Sequence, residues 1–449
     1  MIESPTPPKK MATTLFIDRP HVVHPVDRES RDPNGEHSPA QKCWLRHTFR
    51  GEVQIQGRGR RSGCVVLHAS ETRTPLLNKE YFPLIGTGGL AAANQIYNRF
   101  KAAGKSLNAG DIALIDPAEY HYYQPGWTLV ASGLTNKSKT RRPLSSLIPS
   151  HLSHIVDSVK SFEPKDSSII TLAGRKISYD NLVVAAGLQI NWNAIQGLTK
   201  ALADPNSGVS SVYSYDTADK VWSDVQALRN GTAIFTQPAG VIKCAGAPQK
   251  VMWMAWSTWE KVLKSGSNIK TEFYTGMPTM FAVPKYSQAL DELRVRRGIG
   301  AGFGHNLISV DSAAKKATFK KVDGSVVEKE YTLLHAVPPM GPLDAIKGSP
   351  IADEVGWVNV DKNTLRHVEY GNVWSLGDSS SLPTSKTAAA ITAQAPVLAD
   401  NLFRVTDTGS FGKARYDGYT SCPVSPRASP LTVIWSLQQT ISCLLDTEN

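Results

Sequence analysis

The 449-residue chain is short of cysteine, of long apolar runs and of concentrated charge. No stretch reaches 18 consecutive apolar residues, so the sequence predicts no helix that crosses a bilayer. Its five cysteines, Cys43, Cys64, Cys244, Cys422 and Cys443, are too sparse and odd in number for a secreted disulfide framework. The formal charge of +10 is spread along the chain. Zinc-finger spacing, an aromatic RNA-binding strand and a basic recognition helix are all missing, which argues against nucleic acid. A basic surface instead favours anionic small molecules or anionic lipid. We assign no metal ligands. The opening MIESPTPPKK lacks a signal-peptide core, and 13 Lys/Arg against 9 Asp/Glu in residues 1–80 make a poor transit peptide.

What is present reads as a globular chain of two or three domains, with 41% apolar residues to build their cores. Residues 1–80, rich in Pro, Arg, Ser and Gly, show no periodicity and read as irregular. Order begins near Phe82, where Leu84-Ile85 runs into Gly86-Thr87-Gly88-Gly89 and the helix-forming LAAANQIYNRFKAAG. A buried-strand run, Ile112 to Ile115, then ends on Asp116. A glycine turn opening a helix, followed by a strand ending in a carboxylate, is the first half of a dinucleotide-binding βαβ unit. A second α/β pattern starts at TAIFT (232–236), and residues 371–395 read as strand, loop and a helix starting at Lys386.

Three motifs carry chemistry. Glycines at a helix start let backbone amides approach a phosphate, and Asp116 would accept hydrogen bonds from a ribose. The spacing here is compressed from G-x-G-x-x-G, and Pro83 sits where a central strand should donate a ladder bond. A ligand-free glycine turn reads the same way. Val373 to Asp378 delivers a Gly-Asp pair beside a helix start, which suits a carboxylate holding the ribityl or phosphate end of a flavin. Cys244 lies in VIKCAGAPQK directly after TAIFT, where a pyridine-nucleotide domain would carry its glycine fingerprint. Close to a helix start and flanked by Lys243 and Lys250, its thiol should have a lowered pKa. Cys422, in YDGYTSCP, has no such local argument, and a buried bystander thiol fits it equally well.

Taken together, HYYQPGWTLV (121–130), VIKCAGAPQK (241–250), LPTSKTAAA (382–390) and YDGYTSCP (416–423) resemble the eukaryotic, mitochondrial-type sulfide:quinone oxidoreductases, from about Gly86 to Pro423. The resemblance implies an α/β fold of two tandem Rossmann-like domains with a short tail. The expected divisions are a head (1–80), an FAD domain in two parts (81–197 and 340–410), a second Rossmann-like domain (198–339) and a terminal segment (411–449). It implies FAD, with Thr87 and Gly88 at the pyrophosphate, Asp116 at the ribose, and Gln124 and Val159 lining the cofactor. Asp378, Lys386, Thr387, Ala388 and Ala389 would hold the flavin end. Cys244 and Cys422 match the family's redox pair, which an extra sulfur can bridge. Hydrosulfide would attack the pair, Cys422 would pass a persulfide sulfur to glutathione or sulfite, and Cys244 would face the flavin. Electrons would reach ubiquinone at the mitochondrial inner membrane, with peripheral attachment.

The match dissolves upstream of Gly86, where the family carries a longer apolar strand and a fuller glycine run. This suggests an exon-boundary or gene-model error, which sequencing the transcript across codons 40–90 would check. Downstream, 26 residues follow Pro423, where the family continues with apolar and amphipathic segments. The competing enzyme reading is a type II NADH:quinone dehydrogenase, which needs a second glycine fingerprint and no redox cysteines. The competing non-enzyme reading is a non-catalytic flavin-fold protein.

Overall fold

The computed structural model describes residues 82–422, so the head and the residues from 423 on lie outside the described residues. Its centre is a parallel five-stranded sheet. Across that sheet run Val373–Ser375, Leu182–Val184, Phe82–Ile85, Ile112–Ile115 and Ser153–Ile155. Apolar runs without alternation, such as Ile112-Ala113-Leu114-Ile115, suit a sheet covered on both faces, and all four are buried. The helix Thr87–Ala102 buries Ala92, Ala93, Ile96 and Phe100, the spacing of one helical face.

That face meets the helix Ala388–Thr408, nearly 300 residues away in sequence. Phe100 and Phe403 pack edge to face at 5.0 Å, and Arg99 Nε donates to Asp400 Oδ1 at 2.8 Å. This contact returns the late chain to the first sheet. The helix begins at Ala388, two residues after the expected Lys386. Thr387 is its cap, because its side-chain oxygen accepts from Ala390 N.

Pro83 does sit in a central strand, yet its missing N–H is tolerated. Its neighbour on one side is Ala113, whereas pairing on the other side starts only at Leu84, opposite Val183. A hairpin, Ser168–Thr171 with Lys176–Ser178, forms around Ala173-Gly174-Arg175 as the turn residues require.

The second parallel sheet orders Val209–Ser210, Leu333–His335, Gly231–Gln237, Ile269–Thr275 and Gly300–Phe303. An antiparallel meander, His305–Asp311, Lys316–Lys321 and Val326–Glu330, turns at Asp323-Gly324. After Gly231–Gln237 the chain makes a nine-residue excursion, 238–246, before the helix Ala247–Ser257. That excursion carries Cys244.

Candidate active site

The carboxyl ends of the first sheet form one continuous edge, the usual ligand position of an open parallel sheet. Gly86 N donates to Ile115 O at 3.3 Å, which puts the glycine turn beside Asp116. Gly86 has φ +80°, and a Cβ there would stand 2.6 Å from Ala185 O. A Cβ added at Gly88 would lie 3.1 Å from Ala185 Cβ and 3.8 Å from Leu376 Cδ1, so the Leu376–Asp378 turn borders the same edge. No side chain caps the helix starting at Thr87, which leaves its first amides free for an anion. Asp116 is buried, and burial raises its carboxyl despite the hydrogen bond from Ala118 N at 2.9 Å. These residues fit a dinucleotide laid along the edge, with backbone amides at its pyrophosphate.

At the far end, Gly377 and Asp378 face Lys386, Thr387 and Gln394 across a small pocket. Burial raises the Asp378 carboxyl against the pull of Lys386 and Lys243. Burial also lowers the Lys386 ammonium to about 8; it donates to Ser380 O at 2.9 Å and stands 4.0 Å over the Trp357 ring. Ala388 and Ala389 open the helix whose amides point into this region. Val159 starts an antiparallel strand and is buried in the first core; apart from that placement, nothing in its surroundings marks a ligand.

The two cysteines, 178 residues apart, meet here: Cys244 Sγ lies 3.4 Å from Cys422 Sγ. Cys244 has φ +51°, a left-handed backbone costly for a residue with a Cβ. The strain is held by a parallel bridge of Lys243 with Lys386, in which Cys244 N donates to Lys386 O at 2.8 Å, and by Ala247 N on Cys244 O at 2.7 Å. Lys250 Nζ reaches Cys244 Sγ at 3.4 Å. The hydrogen bond from Cys422 and the Lys250 charge together hold the Cys244 thiol far below its ordinary value. The same hydrogen bond, with burial, pushes the Cys422 thiol well up.

Two details differ from the sequence expectation. Lys250 alone of the flanking lysines reaches the sulfur, because Lys243 Nζ turns away to Gln124 Oε1 at 2.6 Å and lies over Trp127. The amide at the helix start, Gly246 N, donates to Cys422 Sγ at 3.2 Å rather than to Cys244. In a pyridine-nucleotide domain this helix start would hold a pyrophosphate; here it holds a sulfur. Nearby, Asn306 Oδ1 accepts from Ala239 N at 2.8 Å and leaves no room for a Cβ on Gly276.

Sequence reasoning missed Tyr213, whose buried phenol donates to Cys244 O at 3.4 Å, and the Ser385–Thr387 stretch as the support of both cysteine arms. Only the register of folded segments brings these residues in. Among the described residues, no group of His, Cys, Asp and Glu is placed to hold a metal ion, and no helix is long and apolar enough to cross a membrane.

No protein-family model matches the chain. It is 47% identical over 351 residues to the mitochondrial sulfide:quinone oxidoreductase of Schizosaccharomyces pombe, covering 76% of each protein. It is 43% identical over 350 residues to that of Dictyostelium discoideum, covering 77% of this chain and 75% of the relative. Among solved structures, a chain of the Tetrahymena thermophila mitochondrial ATP synthase matches with TM-score 0.69 at 20% identity, over 79% of this chain and 85% of that one. The sulfide:quinone oxidoreductase of Aquifex aeolicus matches with TM-score 0.63 at 16% identity, over 80% and 89%. These two structural matches carry the fold alone.

Proposed function

The chain belongs to the mitochondrial sulfide:quinone oxidoreductase family, and from that premise we propose that it oxidises sulfide at Cys244 and Cys422, with ubiquinone taking the electrons. The observation that carries this reading is the sulfur pair at 3.4 Å, with Lys250 on one sulfur and a helix-start amide on the other.

In the oxidised state the two sulfurs are bonded. Hydrosulfide attacks Cys422 Sγ, forms a new S–S bond there and breaks the bond to Cys244, whose sulfur leaves as the thiolate. Thiol–disulfide exchange favours the lower-pKa leaving group, and Lys250 supplies the reason why that group is Cys244. Gly246 N–H steadies charge on Cys422 while it carries the outer sulfur. An acceptor thiolate or sulfite then takes that sulfur and leaves Cys422 as a thiolate. The 3.4 Å gap exceeds an S–S bond, and it also suits a single bridging sulfur, since two bonds of about 2.05 Å at an ordinary bend span about 3.3 Å.

A flavin, as FAD, would lie along the edge of the first sheet. Thr87 and Gly88 would hold its pyrophosphate and Asp116 its ribose, Gln124 and Val159 would line it, and Asp378 with Lys386 to Ala389 would hold the ring end. When bound, it supplies the two-electron acceptor that reoxidises the thiols and passes the pair to quinone. Residues 81–197 with 340–410 would form its domain, residues 198–339 the cysteine-bearing domain, and 411–422 the arm of Cys422. The sulfur acceptor would be glutathione or sulfite. The location would be the mitochondrion, with peripheral contact at the inner membrane.

The test is the visible spectrum of the purified protein under anaerobic conditions. Sulfide is expected to bleach a flavin and NADH to leave it unchanged, because the helix start that would hold a pyridine nucleotide's pyrophosphate follows a cysteine loop without a glycine fingerprint and donates to Cys422 Sγ. Bleaching by NADH would favour a type II dehydrogenase, and a colourless protein would remove the enzyme reading.

A further inference from the structure

Two consecutive backbone carbonyls hold the two cysteine arms. Lys386 O accepts from Cys244 N at 2.8 Å, and Ser385 O accepts from the Thr420 hydroxyl at 3.0 Å. Thr420 has one hydroxyl proton and gives it to Ser385. The Thr387 hydroxyl, 2.8 Å from Thr420 Oγ1, is therefore the donor of that pair, and Thr387 Oγ1 in turn accepts from Ala390 N at 3.1 Å. The direction of the chain is fixed from the helix amide through Thr387 and Thr420 to Ser385. Both threonines are buried, Thr420 completely, so water cannot replace a lost link cheaply.

The arm has few other anchors. Tyr416 is pinned in both directions, its N–H donating to Asn363 O and its carbonyl accepting from Asn363 Nδ2. The turn after it closes mainly on itself, with Tyr419 N on Asp417 Oδ1 and the Tyr416 hydroxyl on Tyr419 O. Thr420 is thus the last side-chain anchor on the body among the described residues before Cys422, two positions away.

We propose that the Thr420 hydroxyl is a positioning group that sets the Cys244–Cys422 separation, locking the Cys422 arm to the Ser385–Thr387 stretch, in which Lys386 O holds Cys244 and Thr387 caps the helix Ala388–Thr408. It touches neither sulfur. The proposal rests on the paired-cysteine reading above. Without the clasp, the next upstream anchor is Tyr416, six residues back, with the Gly246 amide left as the hydrogen bond on the sulfur itself, and the concentration Cys422 presents to Cys244 falls.

The test uses Thr420→Val, which keeps the shape and removes the hydroxyl, beside Thr420→Ser, which keeps the hydroxyl. The reduced proteins are equilibrated with glutathione and its disulfide: two protein thiols and one glutathione disulfide give the internal disulfide and two glutathiones. Thr420→Val is expected to lower the equilibrium constant for closing the pair about tenfold, or about 30 mV. Sulfide-dependent kcat should fall with it, with flavin content and quinone KM unchanged. Thr420→Ser should return to within about twofold of the natural protein. A Thr420→Val protein with the natural constant overturns the proposal alone. Equal loss in both variants shows that the methyl is needed, not the hydroxyl, and also overturns it. A natural protein that forms no internal disulfide overturns the paired-cysteine reading and the proposal with it.

Discussion

Replacing Lys250 with methionine keeps a long apolar stem in the helix Ala247–Ser257 while removing the cation that lies 3.4 Å from Cys244 Sγ. At that distance and an effective dielectric of about 20, the attraction between ammonium and thiolate is about 5 kcal/mol, an upper bound. Desolvation of the pair offsets part of it, and the Cys422 hydrogen bond remains in the variant. Half the bound, about 2.5 kcal/mol, corresponds to a rise of about 2 pKa units at Cys244. The assay is the pH dependence of alkylation of the reduced protein, with peptide mapping to read Cys244 by itself. In the natural protein the Cys244 rate should hold nearly level from alkaline pH down well past the ordinary thiol range near 8.5, and fall only as pH drops through the lowered pKa. In Lys250→Met the fall should begin at higher pH. Sulfide turnover should slow roughly tenfold, because a leaving thiol of higher pKa departs more slowly. An unchanged alkylation profile would refute the assignment of Lys250 as the group that charges Cys244.

Cys244→Ser and Cys422→Ser should each abolish sulfide-dependent quinone reduction while flavin stays bound; turnover in either variant, followed by quinone absorbance, counts against the paired mechanism. Gly86→Ala places a Cβ 2.6 Å from Ala185 O on a backbone at φ +80°. With ψ 176° that backbone lies in a region essentially reserved for glycine and costs a side chain about 1–3 kcal/mol, so thermal unfolding should move down and flavin content should fall. A variant with natural stability and full flavin would show that the turn is not held as described.

The sequence made the first half of the fold legible because its signals are local. Unbroken apolar strands, the glycine turn and the small-residue helix after Lys386 each formed where pattern and propensity pointed. What stayed hidden depends on contacts across long separations. The pairing of Cys244 with Cys422 came only through family resemblance, because no spacing rule links thiols 178 residues apart. The division of labour between Lys243 and Lys250 was illegible because both flank Cys244 equally in sequence; the bridge of Lys243 to Lys386 decides which one turns away. Pro83 looked like an obstacle because the sequence does not show that its strand has one neighbour at that residue. Thr420 carries no motif, and its place emerges only when Thr387 and Ser385 come within reach.

The cysteine on which the sulfur lands decides the mechanism. The oxidised protein should be mixed with one equivalent of sulfide without quinone or acceptor, alkylated at once, and digested for mass analysis of the Cys244 and Cys422 peptides. The prediction is one extra sulfur on Cys422 and a plainly alkylated Cys244. An extra sulfur on Cys244, or on neither peptide, would contradict it.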